Sequence, residues 1–191
     1  CLAFLTQQKA QQYATVDPST NRFWHMSQFY ADAAAGTLPS YTFIEPHFFS
    51  SLTYGPENDG HPPVNPLDID GPSTLRRADE LVGDVYLALR ASPTWDRTLF
   101  VILFDEHGGT YDHVPPPLTV PPDDVVIPPD QPGGSGFAFG RLGMRVPAIL
   151  VSPLIEPGTV VNTPFDHTSI LKTVINCFDV RGGDGNPATL L

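Results

Sequence analysis

Two adjacent carboxylates, Asp105 and Glu106, have the residue types and spacing that most clearly suggest chemistry. They come directly after the apolar run 99–104, and Gly108 and Gly109 follow them. Neighbouring carboxylates repel each other and are costly to desolvate, whereas a bound divalent cation removes both penalties. The two glycines would let the backbone pass close to a metal or ligand. The sequence therefore predicts that Asp105 and Glu106 are metal ligands; the alternative is a solvated acidic turn.

Histidines stand close to carboxylates in two segments. His61 follows Asp59 by two residues in a loop rich in glycine and proline, and His107 and His113 lie on either side of the two glycines. A histidine held beside a carboxylate can carry a proton or contact phosphate, and Asp59 would bias the tautomer and charge of His61. His61 is therefore a candidate catalytic residue. The alternative for all three histidines is a surface position without a chemical role.

Two further polar segments have competing interpretations. Glu45 closes a short β-favouring run, so it lines the same sheet edge as Asp105 or lies in water. The segment 166–169, Asp-His-Thr-Ser, could belong to a site or could simply begin a helix, with Asp166 or Thr168 as the capping residue.

The types of the candidate ligand side chains limit the choice of metal but do not identify it. Two carboxylates suit hard cations such as Ca²⁺, Mg²⁺ or Mn²⁺, and nearby imidazoles would also accept Zn²⁺ or Fe. The predicted cofactor is thus a divalent metal ion of unassigned identity. The sequence contains no P-loop, no His-Glu-x-x-His and no Gly-x-Ser-x-Gly motif, and its glycines miss the dinucleotide-binding spacing.

Helices alternating with short apolar strands must position these residues. Hydrophobic periodicity predicts helices over 21–35, 73–91 and from about 166 onward, with Ser73 as an N-cap and Gly36 as a stop signal. Short β-favouring runs predict strands over 38–46, 98–104 and 146–151, the last two buried on both faces. The segment 115–136, with eight prolines, predicts an irregular surface loop. This alternation indicates an α/β fold with a parallel-type sheet covered by helices.

Composition excludes several classes of function. The chain has 191 residues, 22 prolines and a formal net charge of -11. Nucleic acids and anionic membrane surfaces are bound through basic patches, so a nucleic-acid partner is not expected. The longest apolar run, 99–104, is far shorter than a transmembrane helix.

The two cysteines, Cys1 and Cys177, form one disulfide bridge or stay as two free thiols. The sequence opens at Cys1 with no initiator Met and no basic-then-apolar leader, so any targeting segment is expected to be absent or already removed.

Six segments in a fixed order resemble the phosphoesterase family, which contains the non-specific phospholipases C and related acid phosphatases. The match covers most of the chain, and its Asp-Glu-His-Gly-Gly segment is highly specific. In chain order the segments are Ile44-Glu45-Pro46; Asp59-Gly60-His61-Pro62-Pro63; Arg90-Ala91-Ser92-Pro93; Phe104-Asp105-Glu106-His107-Gly108-Gly109-Thr110-Tyr111-Asp112-His113-Val114-Pro115; Arg145-Val146-Pro147 leading into Val151-Ser152-Pro153; and Asp166-His167-Thr168-Ser169-Ile170-Leu171.

The resemblance implies an alkaline-phosphatase-like α/β/α sandwich and metal-dependent hydrolysis of phosphate esters, with a phospholipid or a small phosphate ester as substrate. It assigns Asp105 and Glu106 as metal ligands and His61 as a phosphate-contacting or proton-donating residue. Asp59, His107 and His113 are then candidates for orienting these groups or contacting phosphate. The resemblance also makes a secreted or extracytoplasmic location an expectation.

One departure from the family concerns length. Catalytic domains of the family begin with a strand followed by a Glu-Asn pair that completes the metal site, and then a Thr or Ser nucleophile, and neither segment matches here. We therefore expect residues 1–191 to be the C-terminal portion of a phosphoesterase catalytic domain, with the nucleophile in a missing N-terminal segment or a companion chain. The alternatives are an inactive binding or interaction module that keeps the scaffold, and a simple calcium-binding acidic domain.

Overall fold

The computed structural model describes residues 2–4, 24–48, 56–62, 75–121, 123–124, 128–130 and 138–181. Contacts within the chain separate it into two compact units. One unit comprises residues 1–100 and 150–191, and the other comprises residues 101–149. Candidate residues His61 and Asp59 belong to the first unit, and Asp105, Glu106, His107 and His113 belong to the second.

The first elements form a strand–helix–strand motif. Strand β1 (Leu2–Phe4) and strand β2 (Thr42–Ile44) pair in parallel, with Ala3 opposite Phe43, and helix α1 (Met26–Ala35) lies between them in the chain. Gly36 ends α1 with φ +70°, the left-handed conformation that glycine adopts without steric cost. The predicted stop at Gly36 is confirmed, the strand predicted over 38–46 is present but limited to Thr42–Ile44, and the parallel pairing fits the α/β pattern.

Helix α2 (Arg76–Ala91) packs against α1 and contributes two of the three residues in the buried cluster of the described residues. Phe29 of α1 contacts Val85 and Leu89 of α2, and these three side chains are buried. Ile44 of β2 packs against the same cluster. The helical periodicity of the apolar residues therefore predicted this helix, and Val85 and Leu89 lie on its buried face. Residue 73, the predicted N-cap, lies outside the described residues.

Strands β3 (Phe100–Leu103) and β4 (Ala148–Val151) form a second two-stranded sheet. The prediction that both are buried on two faces is wrong: every residue of β3 is half-buried, and three of the four residues of β4 are exposed. An apolar strand is buried on both faces only where other elements cover both faces. Among the described residues the buried cluster is instead drawn from α1 and α2.

Helix α3 (Thr168–Phe178) follows β4 after a series of turns. Among its apolar residues, Ile175 is buried while Leu171 and Phe178 are about half exposed. The described part of the proline-rich segment is irregular, as predicted, apart from one antiparallel bridge between Leu118 and Arg141. Among the described residues no helix combines the length and hydropathy that crossing a membrane requires.

Candidate functional site

The loop that follows β3 is a tight turn built largely by its own residues. The Asp105 carboxylate accepts a hydrogen bond from the Glu106 N–H at 3.0 Å, and the Glu106 carboxylate accepts one from the Gly108 N–H at 2.8 Å. Gly108 and Gly109 have φ values of +62° and +75°, which an L-residue adopts only with strain. Both carboxylates are exposed. Two acidic side chains are thus presented to solvent side by side at the end of β3.

His107 stands at the centre of this turn. Its carbonyl accepts hydrogen bonds from the Thr110 hydroxyl at 2.6 Å and the Thr110 N–H at 3.1 Å. The Nδ1 atom of its ring is buried, and no hydrogen-bond partner for it occurs among the described residues. A buried polar atom without a partner carries a desolvation penalty of about 1–3 kcal/mol. His107 therefore has bonding capacity that this loop does not satisfy.

The far end of the loop is held by an ion pair that sequence reasoning did not single out. Arg145 donates to Asp112 from Nε to Oδ2 at 2.8 Å and from Nη2 to Oδ1 at 2.9 Å. The Asp112 carboxylate also accepts the Val114 N–H at 3.1 Å, and the His113 Nδ1 lies 3.6 Å from it. The hydrogen bonds from Arg145 hold the pKa of Asp112 well below its usual range. Both residues occur in the family-like segments, but their pairing across 33 positions leaves no local signal.

The histidine-containing loop 56–62 is anchored to the first unit at two points. Asn58 and His47 exchange two hydrogen bonds, one from the His47 N–H to the Asn58 side chain at 2.6 Å and one from the Asn58 N–H to the His47 carbonyl at 3.0 Å. Glu57 pairs with Arg77 of α2 at 3.3 Å. The loop therefore has a defined position on this unit despite its glycine and proline content.

Within this loop Asp59 and His61 interact directly. The Asp59 carboxylate accepts hydrogen bonds from its own N–H and from the His61 N–H, yet burial raises the pKa of Asp59 above its usual value. The His61 ring is exposed, and its Nδ1 lies 2.7 Å from the Pro62 carbonyl oxygen. A carbonyl only accepts, so Nδ1 carries the proton and Nε2 carries the lone pair of the neutral ring. Asp59 therefore contacts the backbone N–H of His61, and its predicted influence on the tautomer and charge of the ring stays a prediction.

The structure bears on both of the segments with competing interpretations; for Glu45 it excludes a position in water, and a shared edge with Asp105 stays a prediction. Glu45 is not in water: directly after β2, it is only 9% exposed. Asp166 is a helix cap, because its Oδ1 accepts the Thr168 N–H at 2.9 Å and the Thr168 hydroxyl at 2.6 Å. The Ser169 hydroxyl in turn accepts the Asp166 N–H at 3.3 Å. The helix-start interpretation of residues 166–169 is therefore confirmed.

The candidate ligands form pairs and not a complete cage. In the part of the chain that the structure describes, no three His, Cys, Asp or Glu side chains come together in a group that could hold a metal ion. Asp105 and Glu106 are adjacent in the second unit, and Asp59 and His61 are adjacent in the first. Cys177 is an exposed free thiol, while residue 1, its potential partner, lies outside the described residues.

Comparison with known proteins gives a consistent set of matches. A family model described as the Phosphoesterase family matches residues 4–181. Non-specific phospholipase C3 of Arabidopsis thaliana is 42% identical over 167 residues, which cover 83% of this chain and 29% of the plant protein. Non-specific phospholipase C1 of the same plant is 37% identical, over 85% of this chain and 31% of its own length. Phospholipase C A of Mycobacterium tuberculosis is 33% identical, over 80% of this chain and 27% of its own length. The chain therefore spans about three tenths of the length of these relatives.

Proposed function

This chain belongs to the Phosphoesterase family, and on that premise we propose that it carries part of the active site of a metal-dependent phosphoric ester hydrolase. The observation that carries the proposal is the turn after β3, which presents Asp105 and Glu106 side by side to solvent. The names of the relatives, phospholipases C, support hydrolysis of a phosphate ester of the phospholipid type. An alkaline-phosphatase-like α/β/α sandwich, of which this chain forms a part, is the fold that we propose for the whole domain.

The residues of this turn fit a divalent cation in their donor chemistry. Asp105 and Glu106 would hold the ion through carboxylate oxygens, and the buried Nδ1 of His107 has a hydrogen-bonding capacity that an occupied site could satisfy. When bound, the cation would neutralise phosphate oxygens and polarise the nucleophile. Two carboxylates are fewer ligands than such an ion takes, so further ligands must come from elsewhere in the complete site.

His61 is proposed to contact the phosphoryl group or to protonate the leaving oxygen. The Pro62 carbonyl keeps a proton on Nδ1, so all exchange of protons with a substrate takes place at Nε2. Asp59 orients the loop through the His61 N–H. His113, beside Asp112, is proposed to orient the far end of the metal loop. The nucleophile is proposed to lie in a segment N-terminal to this chain or in a companion chain.

The proposal is tested by assaying the full-length protein with phosphatidylcholine and with a small aryl phosphate, each with and without a chelator. We expect hydrolysis that is lost on chelation and restored by a divalent cation. Asp105→Asn and Glu106→Gln should each lower kcat/KM by more than about a hundredfold, because each removes an anionic ligand. Asp96→Asn and Glu156→Gln are matched controls, since both replace exposed carboxylates outside the turn.

The two substrates separate the phospholipase and phosphatase versions of the proposal. Turnover of the lipid alone supports a phospholipase C, and turnover of the aryl phosphate alone supports a phosphatase. Metal binding without turnover of either substrate would instead support a calcium-binding domain. Absence of both would support an interaction module that keeps the phosphoesterase scaffold, an alternative favoured by the incomplete ligand set among the described residues.

A further inference from the structure

The ion pair between Arg145 and Asp112 has a geometry that ordinary surface pairs lack. Two parallel hydrogen bonds of 2.8 and 2.9 Å join the guanidinium fork to the two carboxylate oxygens. The Asp112 side chain is only 13% exposed, whereas that of Arg145 is 58% exposed. An exposed ion pair contributes little to global stability, typically about 0–1 kcal/mol. A bidentate fork does, however, fix the relative orientation of the two chain segments that carry it.

The segments joined in this way are the end of the site loop and the approach to β4. Asp112 lies six residues after Glu106, and Arg145 lies three residues before Ala148, where β4 begins. The loop that holds the two carboxylates therefore starts at β3 and is fixed again at Asp112. Both residues of the pair belong to the unit of residues 101–149.

The hydrogen bonds inside the loop do not hold the end of the loop at Asp112, so the position of that end depends on the ion pair with Arg145. The turn at His107 is closed by Thr110, and Gly108 and Gly109 adopt their positive φ values without steric cost, so this turn does not itself restrain the loop end at Asp112. Asp112 uses a second contact, to the Val114 N–H at 3.1 Å, to fix the direction in which the chain leaves the loop. Besides its bonds with Arg145, Asp112 interacts only with the next two residues of the chain, His113 and Val114, among the described residues.

We propose that Arg145 and Asp112 are positioning residues that hold the 105–114 loop in the conformation that presents Asp105 and Glu106. That the loop binds a metal ion rests on the proposed function. That the ion pair restrains the loop does not depend on the proposed function. Because the guanidinium keeps Asp112 ionised well below the usual pH range of a carboxylate, the pair persists across ordinary assay conditions. A lysine would keep the charge but lose the fork, so Arg145→Lys separates the two contributions.

The experiment measures hydrogen exchange of the backbone amides in the full-length protein carrying Arg145→Lys, Arg145→Met or Asp112→Asn. We expect amides of residues 106–114 to exchange about tenfold faster in all three variants, while those of α3 are unchanged. Arg181→Lys is the matched control, because Arg181 and Asp179 form another bidentate, exposed pair at 2.7 and 3.1 Å, outside the site. It should leave the loop amides at the wild-type rate.

A second measurement distinguishes positioning from a structural role. Calorimetric titration with Mn²⁺ should show a Kd about tenfold weaker in Arg145→Lys than in the wild type, with wild-type affinity in Arg181→Lys. Unchanged exchange of residues 106–114 in Arg145→Lys and Arg145→Met would overturn the inference. Faster exchange with an unchanged Mn²⁺ affinity would overturn it too, by reducing the pair to a structural contact. A wild type that binds no Mn²⁺ would count against the proposed function, and the exchange data would still decide whether the pair restrains the loop.

Discussion

Asn58 and His47 exchange hydrogen bonds in both directions, the Asn58 side chain accepting the His47 N–H at 2.6 Å while the Asn58 N–H donates to the His47 carbonyl at 3.0 Å. This reciprocal contact ties the loop that carries His61 to the chain just beyond β2. Only one of the two hydrogen bonds uses a side chain, so a substitution at residue 58 removes one and keeps the other. A substitution at residue 58 should therefore weaken the anchoring of the His61 loop without abolishing it.

We expect Asn58→Ala to lower the free energy of unfolding by about 1 kcal/mol, because the half-buried His47 N–H loses its acceptor. Hydrolysis should fall several-fold as the His61 loop becomes less well positioned. Urea unfolding and the assay with aryl phosphate measure the two effects. Asn58→Asp keeps an acceptor oxygen at the same place and should retain most of the stability; an equal loss in both variants would contradict this explanation.

Replacing either of two glycines with alanine should change the stability of the protein, and the two changes should have opposite signs. Gly109 has φ +75° and Gly83 lies inside α2, and an added Cβ at either position would meet no atom within 4 Å. Backbone conformation alone therefore decides the outcome. Gly109→Ala should destabilise the protein by about 1–2 kcal/mol, and Gly83→Ala should stabilise it by about 0.5–1 kcal/mol.

Urea unfolding of the two alanine variants and of Gly109→Asn checks this pair of effects. Asparagine adopts the left-handed conformation more readily than alanine, so the Asn variant should lose less stability. A Gly109→Ala variant as stable as the wild type would show that the turn does not keep its positive φ in solution.

The cap at the start of α3 predicts a pH-dependent stability. The Thr168 hydroxyl, followed by backbone N–H groups, lowers the pKa of Asp166. A lowered pKa contributes stability that is present above the unfolded value of about 3.9 and is lost as the pH falls through the folded value. Asp166→Ala should cost about 1 kcal/mol at pH 7, and this cost should shrink below about pH 4.

Thermal unfolding from pH 3 to pH 8 measures this dependence. Asp166→Asn keeps the capping oxygen without the charge, so it should lose less stability than the alanine variant at pH 7. A pH-independent difference between the wild type and Asp166→Asn would show that the carboxylate charge contributes nothing to the cap.

The pH dependence of stability from Asp59 should have the opposite sign to that from Asp166. Burial, the largest effect, raises the pKa of Asp59, so its ionised form is less favourable in the folded protein than in the unfolded chain. Asp59→Asn resembles the protonated form and should stabilise the protein at pH 7 by about 0.5 kcal/mol or less, given the partial exposure of the group. The gain should vanish as the pH falls below the unfolded value of about 3.9. Thermal unfolding across this range, with Asp96→Asn as an exposed control, would contradict the explanation if both variants gained equally.

Local patterns in the sequence were sufficient to predict the helices. The spacing of Phe29 and Ala33 in α1, and of Val85 and Leu89 in α2, marks the faces that are in fact buried, and Gly36 marks the end of α1. These features depend on neighbours three or four residues apart, which a single sequence displays directly. The position of Asp105 and Glu106 at the end of β3 follows from the same kind of reasoning.

Long-range contacts could not be predicted in this way. Arg145 and Asp112 are 33 residues apart, and Asn58 and His47 are 11 residues apart, so no periodicity links either pair. The exposure of β4 was also missed, because an apolar run shows what a strand could bury and not what covers it. The burial of Glu45 has the same origin, since it depends on packing around the end of β2.

The two tryptophans, Trp24 and Trp95, are confined to one of the two compact units, that of residues 1–100 and 150–191. Trp95 packs against the core cluster, has the Arg90 guanidinium 5.5 Å from its ring centroid and meets Tyr86 edge to face. Tryptophan fluorescence of this chain therefore reports on the unfolding of that unit alone. It does not report on the unit that carries Asp105 and Glu106. Denaturation curves from fluorescence and from circular dichroism, overlaid, would reveal whether the two units melt as one cooperative body or in succession.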